Sequence, residues 1–234
     1  KSMITIMEIM GRNAGWLTGA TALARTEDCD GPDLIYLPEV PFDIDKFLTK
    51  VKDLIKKKSS VVIAVSEGIR LADGRYICEL GSSGDYVDAF GHKQLAGTAT
   101  YLANFLAAEC GCKTRAVELS TLQRSASHMA SRVDIDEAFM VGGAAVKAAD
   151  EGDTGKMVVI DRVSDDPYMA TTGIYDVHRI ANEEKVVPRS WNKDATYVTK
   201  DFVDYISPLI QGDYQPIMVN GLPRHLVLNL KKRR

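Results

Sequence analysis

Three stretches of this chain pair a glycine or a strand end with a side chain suited to a phosphorylated polyol. In Met10-Gly11-Arg12-Asn13-Ala14-Gly15, Gly11 lets the backbone approach a ligand, the turn amides face outward and Arg12 supplies a forked cation. Glu67, between Ser66 and Gly68, closes an apolar run, where a carboxylate can accept hydrogen bonds from sugar hydroxyls. It could equally serve as a helix-terminus acid. Arg115 opens another short run and Arg124 follows it; both could be solvated, yet a bidentate guanidinium is the usual phosphate clamp. Alone each feature has a structural explanation, since glycine-bearing turns are common. Together, one carboxylate and three arginines at one sheet edge fit a sugar phosphate better than chance.

These residues must be held by a parallel α/β sheet. Apolar β-rich runs at 3–9, 34–37, 61–65, 115–119 and 157–162 alternate with helical patterns at 16–25, 45–58, 93–110, 120–132, 134–150 and 200–209. The run 61–65 is apolar throughout, as a strand covered on both faces should be. In the stretch 45–58, Phe47, Leu48, Val51, Leu54 and Ile55 recur at helical spacing, with lysines opposite. Residues 70–90 read as a polar excursion with a hairpin. In such a sheet the loops beyond the strand ends form the ligand site. Here they are Met10-Gly11-Arg12, Pro38-Glu39, Ser66-Glu67-Gly68 and Thr121-Leu122-Gln123-Arg124.

Other chemistry is poorly served. The 234 residues carry 29 basic and 32 acidic side chains, a balance that gives nucleic acid no attraction, and the basic run Lys231–Arg234 is a solvated end. Cys29, Cys78, Cys110 and Cys112 lack partners at zinc-ligand spacing and read as thiols of a cytoplasmic protein. No apolar run is long enough to cross a bilayer. His92 and His128 have no nucleophile beside them, Gly81-Ser82-Ser83-Gly84 lacks the lysine of a phosphate loop, and Asp165-Asp166 precedes Pro167 as a turn would. The chain enters a strand at once with no initiator methionine, so a longer polypeptide is expected.

The motifs EIMGRNAGWL around Gly11, PEVPF at 38–42, SEG at 66–68, DAFGHKQLAG at 88–97 and RAVELSTLQRSASHMASRVDIDEA from Arg115 occur in one order. That series resembles the 6-phosphofructokinase family, above all its pyrophosphate-dependent, mixed-donor branch. The resemblance implies a Rossmann-like parallel-sheet α/β fold. Residues 1–122 and 181–234 would form the sugar-phosphate domain, and 123–180 an incomplete return segment of a phosphoryl-donor domain. It implies transfer from pyrophosphate to the 1-hydroxyl of fructose 6-phosphate, with magnesium bound mainly through the donor and an upstream segment. An ATP donor is the alternative within the class, and a non-catalytic sugar-phosphate-binding regulatory subunit the alternative outside it.

By the same resemblance Met10, Gly11 and Arg12 line the sugar-phosphate site, Glu67 takes the sugar hydroxyls and Arg124 holds the 6-phosphate. Arg115 would reach a neighbouring subunit's 6-phosphate, which presupposes a homodimer or homotetramer. Thr121 stands where the family usually has His or Tyr, and Met3 where it often has a further arginine. The family's glycine-rich donor loop and its TIDND aspartate do not occur in these residues, so no catalytic base and no metal ligand is expected in the chain. With the donor sheet lacking, Phe139, Met140, Val141, Val146, Val158 and Val159 are expected to expose an apolar face.

Overall fold

The computed structural model describes residues 2–81 and 97–224. The motif at 88–97, His92, most of Gly81–Gly84 and the basic tail fall wholly or almost wholly outside them. Strands β1 (Met3–Ile9), β2 (Leu34–Tyr36), β3 (Ser60–Ser66) and β4 (Lys113–Glu118) form one parallel sheet in the order β2-β3-β1-β4. Alternation along the strands sorts their side chains between two cores. Leu34, Tyr36, Ile63 and Val65 face one core with Ile4 and Ile6, whereas Ile35, Leu37 and Ala64 face the other.

Helix α1 (Trp16–Ala20) follows the first loop and α2 (Ile44–Ile55) the second. The Asp43 carboxylate caps α2 by accepting the amides of Asp45 and Lys46. Phe47 and Val51 then enter the first core beside Leu102 and Leu106 of α3 (Thr98–Cys110), which ends on Gly111 at φ +58°. The PEVPF motif contributes Phe42 to an aromatic trio with Tyr36 and Phe47, ring centroids 5.0–5.5 Å apart. On the opposite face α1 meets α6 (Lys200–Ile206) so closely that a Cβ on Gly19 would lie 2.4 Å from the Phe202 ring.

The helix expected over 120–132 is broken. Its first part is α4 (Thr121–Ser125), a 3-10 turn follows at Ser127–Met129, and α5 (Arg132–Asp150) starts afresh with Ser131 accepting the Asp134 amide. Serines hydrogen-bond locally and interrupt a helix where periodicity alone would continue it. The strand expected at 157–162 is longer, β5 (Lys156–Asp165), and pairs antiparallel with β6 (Tyr168–Asp176), which the weakening pattern after Thr171 did not reveal. Asp165 therefore ends β5 opposite Tyr168, Asp166 and Pro167 form the hairpin turn, and β5 lies outside the parallel sheet. The excursion after residue 70 does open as a small hairpin, with Arg70 bridged antiparallel to Tyr76, but it also buries Ile77 and Cys78.

The chain divides into two compact units, Lys1–Gln123 with His178–Ser207, and Arg124–Val177 with the segment from Pro208 onward. That last segment was expected in the first unit. It clusters instead with the second because the N-terminus of α5 claims it: Ser131 Oγ donates to the Leu209 carbonyl, and the Arg132 and Val133 amides to Gly212 and Gln211. In the second unit Phe139 and Val146 are exposed as expected, together with Met157, Ile160, Val163, Met169 and Ile174. Met140, Val141, Val158 and Val159 are instead half-buried within the unit that α5 forms with its hairpin.

Truncating a fully buried ring leaves a cavity its neighbours cannot close. Phe47→Ala is therefore expected to destabilise the first unit by about 3–5 kcal/mol, measured as a fall in the urea-unfolding midpoint.

Candidate functional site

Because β1 and β3 pair in register from Met3↔Ser60 to Ile9↔Ser66, their following loops leave the sheet at one level. The Glu67 amide donates to the Ile9 carbonyl, and its carboxylate turns back to accept the Gly11 amide at 3.1 Å. The Ser66 hydroxyl donates to the Gly11 carbonyl and accepts the Gly68 amide. Gly11 sits at φ +142°, and a Cβ there would meet the Ala14 carbonyl oxygen at 2.7 Å. At Gly68 a Cβ would lie 1.7 Å from the Arg12 carbonyl oxygen, so the two loops touch backbone to backbone.

Side chains without a ligand role in the sequence reading complete this rim. Gln123 of α4 accepts the Met10 amide at 3.0 Å, which ties the fourth loop to the first. Glu39 of PEVPF accepts the Gly15 amide at 2.8 Å and the Val187 amide at 2.9 Å through the same oxygen. Amide-to-side-chain bonds across 113 or 148 residues leave no local spacing signal, which is why only the loops, and not these bonds, could be read in advance.

Glu8, two residues before Met10, is 7% exposed and accepts the Ala99 amide at the start of α3. Burial pushes its carboxyl up from 4.5 to about 7, against the opposing pull of the Ala99 amide, with Glu118 and Glu67 adding repulsion.

Met10, Gly11, Arg12 and Glu67 are thus brought together by direct contacts between their loops. Thr121 opens α4 and Arg124 lies in its last turn, next in sequence to the Gln123 that binds Met10; the division between the two units falls between Gln123 and Arg124. Arg115, read as the opening residue of its strand, is instead the third residue of β4. It is exposed in the middle of β4, opposite Thr5 of β1, three residues before the strand ends. At about 3.3 Å per residue that sets it roughly 10 Å back from the rim. Among the described residues no three His, Cys, Asp or Glu side chains gather to hold a metal ion, so none is assigned as a magnesium ligand. No helix among them is long and apolar enough to cross a membrane.

The family model described as phosphofructokinase matches residues 1–149. A protein of Halomonas elongata named pyrophosphate–fructose 6-phosphate 1-phosphotransferase is 40% identical over 99% of this chain and 54% of its own length. Crystal structures of pyrophosphate-dependent phosphofructokinases from Marinobacter aquaeolei and Nitrosospira multiformis superimpose with TM-scores of 0.80 and 0.81, at 33% and 31% identity. They cover 94% and 96% of this chain, and 51% and 52% of their own. The chain spans about half the length of these relatives.

Two outcomes test the geometry. Gly68→Ala must push the Arg12 carbonyl away, and a cost of about 1–3 kcal/mol is expected, read from the unfolding midpoint. For Glu8 the folded protein keeps a proton that the unfolded chain releases above about 4.5. Its contribution to stability is whole below that pH and is lost as the pH rises through about 7. Glu8→Gln keeps an acceptor for Ala99 without titrating. Relative to the parent it is expected to gain up to about 3 kcal/mol between about pH 4.5 and pH 8, measured by urea unfolding at both.

Proposed function

Because the chain belongs to the phosphofructokinase family, we propose that it carries the fructose 6-phosphate site of a pyrophosphate-dependent 6-phosphofructokinase. The observation that carries this reading is the joining of the Met10-Gly11-Arg12 turn to Glu67 and Gly68, since it sets a cation and a carboxylate on one rim. One Glu67 oxygen is engaged by the Gly11 amide, and the carboxylate keeps further acceptor capacity for sugar hydroxyls. In this reading Arg12 lines the pocket, Arg124 clamps the 6-phosphate and Thr121 replaces a larger polar side chain beside it.

With the 6-phosphate clamped, the 1-hydroxyl oxygen attacks the terminal phosphorus of pyrophosphate. The bond to the bridging oxygen breaks, orthophosphate leaves, and fructose 1,6-bisphosphate is formed. The arginines contribute orientation and neutralise substrate charge, the means by which phosphoryl transfer is catalysed without covalent chemistry on the protein. No residue of this chain is assigned as the base for the hydroxyl proton. Magnesium belongs to the proposal as the ion that offsets donor charge. The pyrophosphate donor is favoured over ATP, and an enzyme over a regulatory subunit, by the names of the relatives alone.

Arg115 belongs to the reading as a residue serving a neighbouring copy in a homodimer or homotetramer. Its exposure on β4, at the edge of the sheet, supports that role. A cytoplasmic setting completes the proposal, with the four cysteines as free thiols.

The test is titration calorimetry of the full-length protein with fructose 6-phosphate. Arg124→Ala is expected to weaken binding by about 1.5–3 kcal/mol, the worth of a charge-assisted hydrogen bond. Unchanged affinity would remove the assignment, and turnover with ATP but not pyrophosphate would reverse the choice of donor.

A further inference from the structure

Beside the residues assigned above, a relay of three side chains converges on the same turn. Asn13, next to Arg12, is held from both ends: its Oδ1 accepts from the Arg70 guanidinium at 2.7 Å, and its Nδ2 donates to Glu184. The order is dictated by chemistry, because a guanidinium only donates and a carboxylate only accepts. The Asn13 amide, which carries an acceptor and a donor on one planar group, bridges them and satisfies both. Arg70 is itself fixed. Its guanidinium carbon lies 4.4 Å from the centroid of the Tyr76 ring, its carbonyl accepts the Phe42 amide, and its buried Nε finds no acceptor among the described residues.

The relay sits where Arg12 needs support. The Arg12 carbonyl rests on Gly68, on the loop that carries both Glu67 and Arg70. Residue 13 is the next link of the chain, and the relay immobilises it. The stretch 184–187 is anchored along the same turn at two more points, with Trp16 Nε1 donating to the Lys185 carbonyl at 2.6 Å and Val187 donating to Glu39. The Arg12 peptide is thereby gripped on both sides, by backbone packing before and by an ion-polarised amide after.

We propose that Arg70, Asn13 and Glu184 are positioning residues for the sugar-phosphate site, holding the Arg12 turn in its binding geometry before the ligand arrives. None of the three is assigned a contact with substrate. Ordering the turn in advance removes an entropic cost from binding, so the relay acts on affinity for the sugar phosphate more than on turnover. The inference rests on the reading of Arg12 as a sugar-phosphate residue.

The decisive experiment is a charge-compensation cycle in the full-length protein, read by calorimetric titration with fructose 6-phosphate and by steady-state kinetics. Asn13→Asp keeps the acceptor for Arg70 but sets a second carboxylate against Glu184. It is expected to raise the dissociation constant and KM for fructose 6-phosphate about five- to tenfold, with kcat nearly kept. Adding Glu184→Gln to that variant supplies a donor for the introduced carboxylate and is expected to restore affinity to within about twofold of the parent. Glu184→Ala, at an exposed position where folding is not at stake, is expected to weaken binding about threefold by itself. An Asn13→Asp variant that binds like the parent, or a double variant no better than the single, overturns the relay. Arg12→Ala separates the two levels of inference. If it abolishes binding while Asn13→Asp has no effect, only the relay fails. If the parent does not bind fructose 6-phosphate, or Arg12→Ala binds as the parent does, the sugar-phosphate reading fails and the relay falls with it.

Discussion

Gly68 has no side chain, and the rim of this sheet depends on that. Its α-carbon faces the Arg12 carbonyl so closely that a Cβ would lie 1.7 Å from the oxygen, closer than any non-bonded pair tolerates. Parallel pairing of β1 with β3 brings the two loops to one height, and the bare backbone at position 68 then lets them close on each other. Glu67 can reach the Gly11 amide only because of that closure, so the meeting of acid and cation follows from packing at a neighbouring residue.

The two helical layers serve this geometry unequally. On one face the aromatic trio of Tyr36, Phe42 and Phe47 fills the space between sheet and α2, which fixes the PEVPF loop. On the other, Gly19 lets α1 lie against Phe202, and so sets the helix that the Arg12 turn must enter. Glu39 links the two arrangements. Its carboxylate takes amides from the first loop and from Val187, so a shift on either side would be felt at the turn.

Three of the parallel strands were legible because they are short and mostly apolar, and the fourth, β4, through its Ala116-Val117 centre; their limits in the structure differ from the sequence reading by at most two residues. The loops that join at the rim were legible for a related reason, since they must follow those strands. What joins them was not. The bonds from Gln123 to Met10 and from Arg70 to Asn13 connect residues far apart in the chain, and nothing in local composition announces them. The break after α4 and the strand β6 were hidden by serine chemistry and by a solvent-facing hairpin whose alternation is weak. Arg115 was read as the opening residue of its strand because Lys113 and Thr114 before it carry no apolar signal, whereas pairing with β1 extends β4 back to Lys113.

Trp16 begins α1 one residue beyond the turn that Gly15 closes. Its ring stacks on Phe202 at 5.8 Å and meets Trp191 edge-on at 6.2 Å, with its indole N–H engaged by the Lys185 carbonyl. The chain has two tryptophans, and both belong to this cluster. The tryptophan emission of this chain therefore originates beside the loop that carries Arg12, where a displacement that moves Trp16 changes the surroundings that set its colour and intensity.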